Sequence, residues 1–423
     1  MNEFLIIAIF IVGYLAIVAE HKIRVNKAAS ALIAGALVWT IFILFSSDKE
    51  IVTEAIGKHM ADISGILFFL LGAMTIVELI DSHDGFDIIT QLIRTRKKRS
   101  LLWIIALITF FLSALLDNLT TTIVMVSLTR KLISDERDRW FFAGIIIIAA
   151  NAGGAWSPMG DVSTTMLWIG NQITAVNIIL KLIMPSLVCM LVPLIVASFM
   201  IKPEKAIQPK PDESKQNHVN MFEKNLIFFT GMIALMFVPF FKTLTHLPPF
   251  MVMLLALGLM WVLTEIVHRK KQGKEKRPFS VVHALKAIDT STILFFLGIL
   301  LCVSALQSSG ILITWAEYLM KHMPNQSATI LVIGILSAIV DNVPLVAAVQ
   351  GMYPLTIYPT DHFFWEFLAY ATGTGGSILI IGSAAGVAAM GMERITFFWF
   401  LKRIAALAFL GYIAGAGVYI LMN

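Results

Sequence analysis

Apolar runs succeed one another along the whole chain, at about 4–19, 28–46, 63–81, 101–116, 141–150, 176–200, 224–241, 250–267, 291–306, 328–340, 364–390 and 404–421. A helix needs about 20 mainly apolar residues to cross roughly 30 Å of hydrocarbon. In that medium every backbone N–H and C=O must find its partner within the segment or in the protein around it. With 58% of residues hydrophobic, 14% charged and a mean hydropathy of +0.83, little is left over for a soluble domain. The pattern predicts an all-α polytopic membrane protein whose first partner is the lipid bilayer. Runs such as 141–150 and 328–340 are too short for simple spans, so some segments are expected to turn back or to break part-way.

The net charge of +5 comes from Lys and Arg gathered at 22–27, 94–99, Arg130 with Lys131, 202–224, 269–277, and Lys402 with Arg403. Basic loops stay on the cytoplasmic side. Loops 46–62 and 358–366 are acidic or neutral and are expected outside. Placing every basic cluster inside a bacterial-type cytoplasmic membrane puts both termini outside. It also makes 101–133 a re-entrant hairpin entered from the cytoplasm, and 328–356 one that opens outward. Such clustering is a topology signal, so nucleic acid is not an expected partner. The segment 3–19 has no basic n-region and no small-residue cleavage site and is expected to remain as a first helix. Cys189 and Cys302 lie in apolar runs and suit packing better than a disulfide or zinc site. The stretches 84–96 and 311–322 each have one apolar face and are expected to be interfacial amphipathic helices.

The polar, proline-containing stretch 202–223 reads as a cytoplasmic linker between halves 1–201 and 224–423. Three motifs recur across it in the same order. Ile66-Leu-Phe-Phe-Leu70 is repeated as Ile293-Leu-Phe-Phe-Leu297. Leu112-Ser-Ala-Leu-Leu-Asp-Asn118 returns 224 residues later as Leu336-Ser-Ala-Ile-Val-Asp-Asn342, identical at five of seven positions. Gly153, Gly154 and Gly160 are matched at the same spacing by Gly375, Gly376 and Gly382. With the charge pattern, these repeats predict two inverted-topology halves. Each would hold a hairpin (about 101–133 and 328–356) and a discontinuous transmembrane helix (about 140–170 and 364–392).

An Asp at membrane depth costs about 2.5–3.5 kcal/mol on insertion scales, so Asp117 and Asp341 need a reason to be there. Helix N-capping would supply one. The repetition of Asp-Asn at the same place in both hairpins favours an ion site, and capping and ion binding are compatible. The glycine motifs read as unwound segments, with close helix packing as the alternative. Asp161, Ser163 and Thr164 follow the first break, and Thr374, Ser377 and Ser383 occupy the second, so oxygen donors of the kind hard cations prefer converge from broken elements. Glu20, Glu78, Lys181, Glu265 and Asp289 lie near span ends, where interfacial solvation accounts for them.

The residues Ser113-Ala-Leu-Leu-Asp-Asn-Leu-Thr-Thr-Thr122, with Asn151-Ala-Gly-Gly-Ala-Trp-Ser-Pro-Met-Gly-Asp161, closely resemble the NhaD-type sodium/proton antiporters of the ion transporter superfamily. The likeness extends over nearly the whole chain. It implies an ion pathway at Asp117, Asn118, Asn151, Asp161, Ser163, Thr164, Asp341 and Asn342, with Ser337, Thr374 and Ser377 as the second-half positions. It also implies a homodimer. The superfamily includes arsenite exporters and citrate and divalent-anion symporters. Its dicarboxylate branch has Ser-Asn-Thr at the hairpin tips, where this chain has Asp-Asn.

The expected function is secondary antiport, with Na⁺ or Li⁺ exchanged for H⁺ through competition for Asp117, Asp161 and Asp341, and with no cofactor. Low dielectric and neighbouring like charge make a buried carboxylate hold its proton more readily, which suits it to such exchange. An anion or arsenite exporter would keep the fold but would need positive or neutral liganding, and neither hairpin tip holds Lys or Arg. An intramembrane aspartyl protease lacks its Gly-x-Gly-Asp signature, since Pro158-Met-Gly160 precedes Asp161. No enzymatic activity is expected.

Overall fold

The computed structural model describes residues 2–18, 20–88, 93, 95, 97–201, 220–245, 247–269, 279–323, 325–339 and 341–423. Their regular elements are helices. The first half comprises α1 (Asn2–Val18), α2 (Glu20–Ile23), α3 (Lys27–Phe45), α4 (Lys49–Ser82), α5 (Lys98–Leu116), α6 (Asn118–Leu132), α7 (Glu136–Ala155), α8 (Val162–Ile169) and α9 (Ala175–Met200). The second comprises α10 (Met221–Thr245), α11 (Pro249–Val267), α12 (Val281–Ala287), α13 (Thr290–Ser308), α14 (Ile311–His322), α15 (Gln326–Leu336), α16 (Asn342–Met352), α17 (Phe363–Gly375), α18 (Ala384–Glu393), α19 (Phe397–Arg403) and α20 (Ala405–Met422). Among the described residues, eight helices (α3, α4, α5, α9, α10, α11, α13 and α20) are long and apolar enough to cross a membrane. The chain is a polytopic all-α membrane protein. Most of the expected linker, the end of the 84–96 stretch and residues 270–277 of a basic cluster lie outside the described residues.

Helices α4 to α9 can be set beside α13, α15, α16, α17, α18 and α20, with α14 and α19 as additional short helices in the second series. The matched elements also pack alike: α5 lies on α7 as α15 lies on α17. Corresponding glycines leave room for carbonyls at the same or the neighbouring position of the other repeat motif. A Cβ on Gly153 would overlap the Phe110 carbonyl, and one on Gly375 would overlap that of Gly334. A Cβ on Gly160 would come within 2.6 Å of the Ser113 carbonyl oxygen, and one on Gly382 within 2.5 Å of the Ala338 carbonyl oxygen. Backbones at such separations admit only a residue without a side chain.

The halves are interlocked. α3 packs on α13, while α11 packs on α4. Gly35 meets the Gly298 carbonyl, Trp39 Nε1 donates to the Leu301 carbonyl at 2.9 Å, and Gly72 sits under Met253. α9 and α20, the last long helices of each half, pack on one another. Small residues at these crossings let helices approach closely, which matters in lipid because apolar side chains gain little by leaving it.

Two sequence expectations change. The loop expected at 46–62 is mostly helix: Asp48 accepts from the N–H groups of Glu50 (3.0 Å) and Ile51 (3.2 Å), and α4 runs unbroken from Lys49 to Ser82. Glu50, Glu54, Ala55 and Lys58 are good helix formers, and no proline interrupts them. At about 1.5 Å per residue this helix is roughly 50 Å long, more than the hydrocarbon thickness, so polarity at its start does not imply a loop. Glu366, expected in an acidic outer loop, lies in the first turn of α17 at 2% exposure. There Asn177 Nδ2 and the Tyr419 hydroxyl donate to it, the latter at 2.7 Å. An acid in a first turn is favoured by the helix dipole, and these donors satisfy it in a buried setting.

Candidate ion site between two broken helices

The backbone breaks where two helices stop short. α7 ends at Ala155, residues 156–161 are not helical, and α8 resumes at Val162. Pro158 has no N–H to donate, and Ser157 Oγ donates to the Ala114 carbonyl of α5 at 2.5 Å, tying the unwound segment to the first hairpin. In the second half the break spans 376–383. Gly153 and Gly154, expected in the unwound stretch, lie inside the last turn of α7, and Gly375 closes α17. Their missing side chains serve the close crossing with the hairpin, and the unwinding follows them. Both readings of the glycines, packing and break, therefore hold, at adjacent positions.

Asp161 caps α8, accepting the Ser163 N–H on Oδ1 at 2.8 Å, and is 1% exposed. Its carboxylate is the meeting point of the first residues of α6 and α16. Asn118, at the first tip, donates Nδ2 to Oδ2 at 2.6 Å. Asn342, at the second tip, donates Nδ2 to Oδ1 and Oδ2, each at 2.9 Å. Ser163 Oγ donates to Oδ1 at 2.6 Å. Asn151 extends the cluster, accepting from Asn118 on Oδ1 at 3.0 Å and donating to Ser377 and Ser383, each at 3.0 Å. One buried carboxylate, three amides and three hydroxyls thus form a continuous network contributed by both hairpin tips and both breaks. No Lys or Arg bonds to Asp161 among the described residues.

The remaining expected residues stand around this centre. The Asp117 carboxylate turns onto its own helix, accepting from Thr120 N at 2.7 Å and Thr120 Oγ1 at 2.8 Å. Asp341 caps α16 through the Val343 N–H at 3.4 Å, and Lys27 Nζ lies 3.8 Å from it. Neither carboxylate bonds to Asp161 among the described residues. Thr164 Oγ1 donates to the Asp161 carbonyl at 2.8 Å, and Thr374 Oγ1 to the Tyr370 carbonyl at 2.6 Å. Ser337 Oγ donates to the Thr372 carbonyl at 2.7 Å, as its counterpart Ser113 does to Ala150 at 2.6 Å. These four hydroxyls hold backbone rather than face the cluster. Sequence reading missed Lys27, which counted only toward a basic cluster, and no spacing signal could have placed it beside Asp341.

The family model for "Citrate transporter" matches residues 14–375. Sodium/proton antiporter 1 of Arabidopsis thaliana is 46% identical over 98% of this chain and 72% of its own length. Sodium/proton antiporter 2 of the same plant is 44% identical over 98% of both chains. The Na(+)/H(+) antiporter NhaD of Alkalimonas amylolytica is 34% identical over 99% of this chain and 90% of its own. With the hairpin tips and the broken helices found where the motifs fall, the chain belongs to the citrate transporter family and, within it, to the NhaD-type sodium/proton antiporters.

Proposed function

We propose that this protein is a secondary antiporter that exchanges Na⁺ or Li⁺ for H⁺ across a bacterial-type cytoplasmic membrane. The observation that carries the reading is the Asp161 carboxylate, buried at a helix break and bonded by an Asn from each hairpin tip. The amide N–H groups of Asn118 and Asn342 and the Ser163 hydroxyl satisfy the carboxylate. An Asn side chain presents either NH₂ or a carbonyl oxygen, so rotation of Asn118 and Asn342 would offer a small hard cation two neutral oxygens beside Asp161. Asp117 and Asp341 add negative charge on either side. A proton on Asp161 removes the charge the cation needs, and the cation displaces the proton, so one site carries the two ions alternately.

The halves 1–201 and 224–423, joined by 202–223, are proposed to be inverted repeats with the hairpins re-entrant, the basic loops cytoplasmic and both ends of the chain outside. The matched glycine crossings support the repeat. Alternating access would then exchange the conformations of the two halves about the shared cluster. Citrate, which the family description names, suits the site less well, because a tricarboxylate would meet Asp117, Asp161 and Asp341 with no Arg or Lys bonded to Asp161 among the described residues.

The test is Na⁺- or Li⁺-induced proton movement in everted vesicles, repeated with Asp117→Asn and Asp341→Asn. Wild-type protein is expected to move protons on addition of either salt, and both variants to respond more weakly. A wild type that gives no cation-dependent proton flux ends the antiport reading.

A further inference from the structure

The second hairpin tip is reached from a cavity of about 80 Å³, lined among others by Tyr14, Glu20, Lys27, Phe295, Ile381 and Asp341. Within it the Lys27 ammonium stands 3.8 Å from Asp341 Oδ2 and 4.4 Å from the centre of the Phe295 ring. Glu20 Oε1 accepts the Lys27 backbone N–H at 3.1 Å, which fixes the start of α3 at the cavity wall. A carboxylate and an aromatic face are the two surfaces that attract a cation without dedicated ligands. Here one lysine occupies both.

What makes this more than an ordinary ion pair is the chemistry around Asp341. At the first tip Thr120 supplies both an N–H and a hydroxyl to Asp117. Pro344 stands at the matching position of the second tip and can supply neither. Among the described residues Asp341 accepts one long side-chain bond, from Val343 N, and it lines the cavity. The Asp341 side chain is 19% exposed, and the charge that stands beside it is tethered on another helix, at the start of α3.

We infer that Lys27 is a built-in competitor for the transported cation: its ammonium neutralises Asp341 when no ion is there and yields when one arrives. Lys27 is a positioning residue, and the inference rests on the antiport reading. It sets how tightly the site holds a cation, because each arriving ion must displace the ammonium. It also sets how readily the ion leaves, since the returning ammonium replaces it. Removing the charge at Lys27 should therefore tighten cation binding and slow turnover together, whereas simple structural damage weakens both.

The experiment measures the melting temperature of the purified full-length protein against NaCl and LiCl, with choline chloride holding ionic strength, for wild type, Lys27→Met and Lys27→Arg. Vesicle transport kinetics are recorded alongside. Lys27→Met is expected to shift the half-saturating Na⁺ concentration down by about three- to tenfold, the size of a partly screened ion pair, with a lower maximal rate. Lys27→Arg is expected to stay near wild type. If Lys27→Met does not fold, Lys27→Gln is read in the same way. An unchanged or raised half-saturating concentration in the uncharged variant overturns this inference alone. A wild type with no Na⁺ or Li⁺ response overturns the antiport reading and this inference with it.

Discussion

At the first hairpin tip Asp117 has φ 110° and ψ 159°, a backbone region that side chains rarely enter, and two bonds from Thr120 clamp its carboxylate. At the second tip Asp341 has φ −49° and ψ 138°, which any residue adopts, and its carboxylate is left to Lys27. The flanking asparagines do the opposite: Asn118 and Asn342 both reach Asp161, from different helices, the first at one carboxylate oxygen and the second at both. Identical Asp-Asn pairs have thus divided their work. The amides share one target, while one carboxylate is locked into its own helix and the other is open to a cavity. Strain of order 1–3 kcal/mol at Asp117 persists only if its surroundings hold it, and Thr120 is placed to do so.

The comparison is most exposed at the acceptor the two tips share. Asp161→Asn should lower Na⁺-driven proton exchange by about 100-fold or more, since a neutral amide neither balances a cation nor carries the proton. Retained size-exclusion behaviour would show that the fold survives, and substantial residual exchange would place the essential carboxylate at one of the tips. Next come the amides. Asn342→Ala and Asn118→Ala should each destabilise by about 1–3 kcal/mol through the buried partners they leave unsatisfied. Asn342→Ala should have the larger effect in thermal melting, because Asn342 bonds both oxygens of Asp161, and a larger loss at Asn118 would show that its link through Asn151 matters more. The smallest effect separates the carboxylates. Thr120→Val should destabilise by about 1 kcal/mol by removing the hydroxyl from Asp117, and a melting temperature unchanged from wild type would mean that the residue 120 N–H and the packing hold the strained tip without the hydroxyl.

Much of this was legible in the sequence because the strongest constraints are local or repeated. Apolar runs marked the long helices, the Asp-Asn pairs marked both tips, and Pro158 and the glycines marked the breaks to within a few residues. Asn118, Asn151, Asp161, Ser163, Asn342 and Ser377, all expected at the ion pathway, meet in one cluster. What stayed hidden depends on direction and distance. No residue pattern says that Asp117 turns toward Thr120 while Asn118 turns toward Asp161. Polarity in 49–62 concealed a helix that outruns the bilayer, and Glu366 looked like a loop acid because its partners Asn177 and Tyr419 are far away in sequence. The pairing of Lys27 with Asp341 joins residues more than 300 positions apart, which only the fold brings together.

The crossed packing of the halves bears on how the protein is made. Synthesis runs from the N-terminus, so α3 is in the bilayer well before Gly298 and Leu301 of α13 exist to cover Gly35 and Trp39. Until then the α13-facing side of α3 has only lipid against it, and the Trp39 indole N–H lacks the carbonyl it will bond. The α3 face that carries Gly35 and Trp39 therefore reaches its final contacts only after α13 has been made. A ribosome stalled within 202–219 would leave behind a half-molecule with its seam open.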